Sequence, residues 1–308
     1  MTEAAQAADG GYRRSVDLMR FLAAFGIVWD HARAPYADIG YLALSLFLVL
    51  TSYLAVGSFL RSDGKGFWLS RARRIALPWL FWCLVFRVVF EVVSDAPFAV
   101  LAEPWSLLIG PSIHLWFLPF VMLALVVIAP LCRWITGPRE VWLAALGLVT
   151  LSIPLGLLHA EVAPLAWLVS TEPFPQPLPQ WFYSLPLFLF GALLALAQRI
   201  GLTWVPVAAA GVISAVLVYR APEFASVQMI LVALVFLAVW RVEIAGRWPT
   251  VLAGHAFGIY LLHPALLLVA FKLFGGDVDR SAAALFTFAG SWALTILLLR
   301  LPVLQRFV

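Results

Sequence analysis

The chain has 308 residues, of which 64% are hydrophobic and only 12% charged, and its formal net charge is +4. Soluble domains contain about a quarter charged residues, and polar residues this scarce cannot cover so large an apolar core in water. The composition excludes a soluble domain and predicts an all-α, polytopic integral membrane protein. The basic residues interrupt apolar segments instead of forming one patch, so nucleic acid is not an expected partner.

Ten apolar stretches have the length of a membrane-spanning helix, about 17 to 25 residues. The predicted spans are 16–35, 40–60, 75–94, 114–135, 141–158, 181–199, 203–219, 224–241, 251–274 and 282–301. About ten transmembrane helices therefore form one domain over residues 16–308, after an N-terminal tail of residues 1–15. The segment 96–112 is too short to span and is predicted to lie at the membrane interface, whereas 159–180 is the longest connection.

The distribution of basic residues predicts the orientation of the chain. With the N-terminus in the cytoplasm, most Arg and Lys fall on the inner side, and the outer connections 95–113 and 159–180 contain none. Basic residues accumulate in cytoplasmic connections, so both termini are expected in the cytoplasm. The two cysteines, Cys83 and Cys132, lie in apolar segments without CxxC spacing and are expected to be free thiols, with no metal site.

The first predicted helix carries four polar or charged residues, Asp17, Arg20, Asp30 and His31. Charges inside a bilayer cost about 2.5–3.5 kcal/mol each and usually mark function. Arg20 and His31 lie on one helix face, about 16 Å apart along the axis, and Asp17 shares that face with Arg20. Asp30 points about 100° away from His31 and is a weak candidate for orienting it. The alternative is that Arg20 reaches lipid phosphate and His31 caps an outer connection.

Arg71, Arg73 and Arg74 precede the third predicted span. Guanidinium groups bind phosphate with paired hydrogen bonds, so this cluster is a candidate site for a phosphorylated cofactor. The alternative is that the cluster only keeps this connection in the cytoplasm, as basic residues beside membrane spans commonly do.

Two further motifs place histidines in apolar surroundings. His114 and Trp116 open the fourth span, where a histidine is also common as an interfacial residue. Tyr260 and His263, the latter followed by Pro264, fall at mid-membrane. A histidine before a proline within lipid needs a partner or a cavity, so these four residues are candidates for lining a substrate path or pore. The alternative is that His263 is a lone histidine in the core.

Taken in order, these motifs resemble acyltransferase family 3, a family of membrane-bound bacterial acyltransferases typified by O-acetyltransferases of surface polysaccharides. Arg20, ten residues and His31 match its R-x10-H hallmark, and 71–78 (RARRIALP) is similar to its R-x-x-R-I-x-x-P motif. Residues 46–53 (LFLVLTSY) resemble its second helix but lack the glycine of Ser-Gly-Tyr. The stretches 114–119 and 260–264 match later signatures, so the resemblance covers nearly the whole chain.

The resemblance implies acyl transfer from a cytoplasmic acyl-CoA, typically acetyl-CoA, to a hydroxyl of an extracytoplasmic or lipid-linked glycan. No cofactor stays bound, the donor being a substrate, and the expected location is the bacterial inner membrane. His31, Arg20 and Asp17 would form the catalytic set, with His31 as general base or transient acyl carrier, and Arg71 and Arg74 would hold the donor phosphates. A transporter or acyl-group conduit that supplies a separate extracytoplasmic enzyme is the alternative, because an intramembrane Arg/His path suits transport equally well.

Overall fold

The structure is a computed structural model that describes residues 13–93, 112, 114–159 and 178–308. Every regular element in these residues is helical. The α-helices are α1 (Arg14–His31), α2 (Ala37–Leu60), α3 (Gly64–Arg71), α4 (Leu77–Val93), α5 (Phe117–Ala124), α6 (Ile128–Trp134), α7 (Pro138–His159), α8 (Leu178–Arg199), α9 (Trp204–Arg220), α10 (Phe224–Arg241), α11 (Trp248–Phe274) and α12 (Arg280–Leu299). A π-helical segment (Ala72–Ala76) joins α3 to α4, a 3₁₀ turn (Leu125–Val127) joins α5 to α6, and a second 3₁₀ turn (Leu304–Arg306) follows α12.

The helices confirm an all-α polytopic membrane protein, and each of the ten predicted spans coincides with a described helix or, for α5 and α6, with a helix pair. Seven of the segments are long and apolar enough to cross a membrane by themselves, and α9 is a shorter apolar helix. The predicted tail 1–15 and the segments 96–112 and 159–180 lie almost wholly outside the described residues.

The first helix ends at His31, four residues before the predicted boundary. Pro35 explains the difference, because its ring would collide with the carbonyl of His31 in a continuing helix and it disfavours helical backbone at the preceding residue. Arg33 then turns the chain with a positive φ of 53°. His31 therefore occupies the C-terminal residue of α1, where its ring can reach beyond the helix.

Arg73 and Arg74 lie in the π-helical segment Ala72–Ala76, and Arg71 is the last residue of α3. Pro78 follows in the first turn of α4 and has no N–H for the carbonyl of Arg74, four residues earlier. A wider helical turn relieves the collision between the proline ring and that carbonyl, and such π segments are frequent at functional sites.

Helix α1 is packed between α2 on one side and α11 on the other. The contact with α2 is backbone to backbone: a Cβ atom on Gly40 would lie 2.6 Å from the carbonyl oxygen of Gly26 and 2.9 Å from the amide nitrogen of Asp30. Only glycine permits this approach, as at other small-residue contacts between membrane helices. Toward α11, Ala24 and Val28 pack against Ala256 and Ile259 in a separate apolar cluster. Ala24 and Val28 lie on the same face of α1 as Arg20 and His31, so that face is directed at α11.

Helices α7, α8, α9 and α10 complete the bundle on the far side of α2. Arg13, which precedes α1, pairs with Glu243, which follows α10, at 2.8 Å. Tyr53 near the end of α2 donates to Gln198 near the end of α8 at 2.7 Å. The start of α1 and the ends of α2, α8 and α10 thus share one side of the bundle, which also holds Arg71–Arg74 and is called the arginine side below.

Candidate active site

A pair of histidines joins α1 to α11. Nδ1 of His31 lies 2.7 Å from Nε2 of His263, and the two ring planes differ by 4°. Parallel rings stacked face to face cannot bring two nitrogens this close, so the imidazoles meet edge to edge in nearly one plane. That is the geometry of a short, well-aligned hydrogen bond.

The histidine pair is unequally accessible. His263 is fully buried, whereas His31 is partly exposed. No hydrogen bond to Nε2 of His31 comes from the residues that the structure describes, and Asp30 is not its partner. Among the described residues, Nε2 of His31 is therefore the one ring nitrogen of the pair without a hydrogen-bond partner.

Two hydrogen bonds from α11 fix the surroundings of His263. Its Nδ1 lies 2.7 Å from the backbone carbonyl oxygen of Tyr260, and the Tyr260 hydroxyl donates to the backbone carbonyl of His114. The His114 ring lies 5.3 Å from that of His263 between centroids, nearly perpendicular to it, and its Nδ1 is 2.8 Å from Oγ of Ser112. His31, His114, Tyr260 and His263 thus form one cluster.

Apolar and aromatic side chains surround the buried members of the cluster. Phe86 of α4 meets the edge of the His114 ring at 5.1 Å, and Phe117 packs on Tyr260 at 5.7 Å between centroids. Trp116 is buried one layer further out, against Phe117 and Phe120. In such surroundings a hydrogen bond is stronger than in water and an unpaired polar group is costly.

Asp17 and Arg20 lie toward the arginine end of α1. Oδ1 of Asp17 is 3.8 Å from Nη1 of Arg20, and the carboxylate is buried while about a third of the Arg20 side chain is exposed. The predicted i,i+3 pairing is present. A cation and an imidazole therefore stand on one face of α1, about eleven residues or 16 Å apart along its axis.

Arg71 and Arg74 do not join the histidine cluster. The guanidinium carbon of Arg71 lies 5.0 Å from the ring centroid of Phe67, and Arg74 is exposed. Among the described residues, no carboxylate forms a salt bridge with either arginine. Burial and the charge of Arg74 lower the pKa of Arg71, and an anion placed there would relieve that repulsion.

The R-x10-H helix, the arginines Arg71–Arg74 and the histidines just before α5 and on α11 all lie within one family match. A family model described as an acyltransferase domain, acyltransferase family 3, matches residues 13–300. The chain belongs to acyltransferase family 3. No curated protein and no solved structure matches it.

Membership in acyltransferase family 3 makes the chain a membrane acyltransferase, as the motifs predicted. Four of the predicted site residues, His31, His114, Tyr260 and His263, meet in one cluster, with Trp116 behind them. Arg20 and Asp17 form a second pair, and Arg71 and Arg74 a third group.

Sequence reasoning missed two neighbours of the acyltransferase cluster, Ser112 and Phe86, both of which contact His114. Ser112 lies two residues before His114, a spacing at which a serine hydroxyl can form a local hydrogen bond, so this neighbour could have been anticipated. Phe86 carries no local signal, because its contact with His114 arises only in the tertiary structure.

Proposed function

We propose that this acyltransferase moves an acyl group, typically acetyl, from a CoA thioester to a hydroxyl of an extracytoplasmic or lipid-linked glycan. The observation that carries the proposal is the 2.7 Å bond between His31 and His263, which leaves the other nitrogen of His31 open. The chain would lie in the bacterial inner membrane, with the arginine side and both termini in the cytoplasm.

The donor would bind at the arginine side. Arg71 and Arg74 pair with no described carboxylate, so their charge is available for the phosphates of CoA. Arg20, oriented by Asp17, would meet the donor further along α1. The pantetheine arm would then follow α1 and bring the thioester to His31.

In the transfer step, Nε2 of His31 takes the proton of the acceptor hydroxyl as its oxygen attacks the thioester carbonyl. The carbon–sulfur bond breaks, and the CoA thiolate leaves and receives the proton from the His31 imidazolium. The ester product and free CoA account for every atom. The His263 ring can hold the imidazolium in place throughout, because charge-assisted hydrogen bonds are about twice as strong as neutral ones.

His31 as a transient acyl carrier differs in one observable way. Nε2 would then attack the thioester itself, releasing CoA before any acceptor is present and leaving an acyl-imidazole. A burst of CoA, one per protein, from pure enzyme mixed with acetyl-CoA alone would indicate the carrier; its absence would favour the general base.

The test is turnover by the purified protein in lipid nanodiscs, with radiolabelled acetyl-CoA and glycan-bearing envelope lipid as acceptor. We expect label in the acceptor and equal release of CoA from wild type, and neither from His31→Ala. His255→Ala is the matched control, since His255 lies on α11 and bonds Trp292 at 3.2 Å instead of the cluster. Wild-type turnover by His31→Ala would refute the assignment, and transfer that needs a second, extracytoplasmic enzyme would favour the conduit.

A further inference from the structure

We infer that Pro264 and His263 act as a positioning unit that places the proton of His31 on Nδ1 and keeps its Nε2 lone pair free for the reaction. The chemical role of that lone pair rests on the proposed function, but the placement of the proton does not. One line of contacts, from Pro264 to His31, determines which atoms donate and which accept hydrogen bonds.

The line begins at a missing backbone donor. In an α-helix the carbonyl of Tyr260 accepts from the N–H of residue 264, but residue 264 is proline and has none. The freed carbonyl lies inside the bundle, where an unpaired acceptor costs free energy. Nδ1 of His263 occupies the vacant position, 2.7 Å from that oxygen.

A carbonyl oxygen can only accept, so Nδ1 of His263 must carry a proton. If the His263 ring is neutral, its Nε2 is then an acceptor and has no proton of its own. A doubly protonated His263 would place a charge at a fully buried position where no described carboxylate pairs with it, which is strongly unfavourable. The described contacts therefore define His263 as a neutral ring with Nε2 accepting.

The nitrogen facing that acceptor is Nδ1 of His31, at 2.7 Å. It must donate, so the single proton of a neutral His31 ring sits on Nδ1 and the lone pair sits on Nε2. Nε2 is also the edge that no described residue bonds. Tyr260, His263 and His31 thus form a directed chain that ends in one available base.

The unit does what a carboxylate does behind the histidine of a hydrolase triad, where the partner of one ring nitrogen selects the tautomer in which the other reacts. Here the partner is a second imidazole, and Pro264, the next residue in the chain, sets the orientation of that imidazole by freeing the Tyr260 carbonyl. His263 is accordingly a positioning residue and touches neither donor nor acceptor in this scheme.

The decisive measurement is the tautomer of His31, read from ring ¹⁵N chemical shifts of ¹⁵N-histidine-labelled protein in nanodiscs, with His31→Ala assigning the signal. Wild type should show a protonated Nδ1 and an unprotonated Nε2 on His31. A protonated Nε2 on neutral His31 would overturn the inference whatever the protein catalyses. Conversely, the expected tautomer without any acyl transfer would refute only the proposed function.

Two variants of His263 separate positioning from packing. His263→Gln offers an amide oxygen that can accept from Nδ1 of His31, whereas His263→Met fills similar space without an acceptor for that proton of comparable strength. We expect kcat of the Met variant to be about 10- to 100-fold below that of the Gln variant, the value of a bond to a charged group, with little change in KM. A Met variant as active as the Gln variant would mean that His263 only packs.

Pro264→Ala tests the start of the chain and does not alter either imidazole. The new N–H competes for the Tyr260 carbonyl, so we expect the His31 signal to show a mixture of tautomers and kcat to fall. Pro154→Ala is the matched control, because Pro154 lies inside α7, which packs against α8 and α9. An unchanged His31 tautomer in Pro264→Ala would remove the proline from the unit, and equal effects of both substitutions would attribute the loss to helix geometry.

Discussion

Tyr260 bonds in two directions at once: its hydroxyl donates to the carbonyl of His114, and its own carbonyl accepts from the ring of His263. The first bond attaches α11 to the turn that opens α5, and the second orients a ring inside the histidine cluster. One residue therefore ties the position of His114 to that of His263.

Replacing Tyr260 with Phe removes the first bond and leaves the His114 carbonyl unsatisfied in a buried place. Such a loss costs about 1–3 kcal/mol, so we expect a lower Tm in detergent and a reduced kcat, with donor KM nearly unchanged. Tyr219→Phe is the control, since Tyr219 lies on α9 and is largely exposed. Equal Tm values for wild type and Tyr260→Phe would show that the bond adds nothing to stability.

Arg20→Lys keeps the charge beside Asp17 but removes the planar guanidinium. If Arg20 makes paired hydrogen bonds, lysine cannot replace them, and we expect acyl transfer to fall about tenfold or more at unchanged membrane abundance. Arg241→Lys, at the exposed end of α10 on the same side, should be silent. Full activity of Arg20→Lys would mean that only the positive charge of Arg20 is needed.

Arg71→Ala and Arg74→Ala are expected to raise the KM for acyl-CoA while kcat changes little. Each guanidinium would contribute through charge and paired bonds to phosphate, so the wild-type KM should also rise with salt, and less steeply in the variants. Arg139→Ala is the control, being exposed on the same side at the start of α7. Unchanged affinity for CoA in both variants would mean that the arginine cluster only sets the orientation of the chain in the membrane.

The orientation itself can be read by labelling single cysteines in a Cys83→Ala, Cys132→Ala background. Ser62→Cys lies in the connection between α2 and α3 on the arginine side, and Asp277→Cys lies between α11 and α12 on the opposite side. We expect an impermeant thiol reagent added to intact cells to label only the residue at 277, because basic residues stay in the cytoplasm. Labelling at 62 alone would reverse the topology.

The close contact of α1 with α2 predicts an unusual sensitivity to one methyl group. Gly40→Ala would place a Cβ 2.6 Å from the carbonyl of Gly26, so the helices must separate, at a cost of about 1–3 kcal/mol. Gly147→Ala, at a helical glycine with open space around its Cβ, should be neutral or slightly stabilising. We expect Gly40→Ala alone to lower Tm, and equal Tm values would mean that α1 and α2 adjust freely.

Much of the fold was predictable because membrane helices are long, apolar and bounded by polar residues. The span 224–241 matches α10 exactly in its bounds, and the others differ by a few residues. The largest error fell at the end of α1, where Pro35 acts on His31 across one helical turn. A hydropathy pattern contains no information about that steric effect.

The candidate site was predictable in its members but not in its connections. The helical periodicity of α1 relates Arg20 to His31, because both lie on one rigid element. Nothing local relates His31 to His263, which are 232 residues apart and meet only because α11 packs against α1. The tautomer of His31 therefore follows from this tertiary contact and could not be inferred from the local sequence.

The continuity of α1 sets a fixed distance for the proposed chemistry. Arg20 and His31 lie on one unbroken helix, about 16 Å apart along its axis. A donor held at the arginines would be selected by the reach of its arm more than by the size of its acyl group. Acyl-pantetheine and acyl-CoA should then differ far more as donors than acetyl-CoA and propionyl-CoA do.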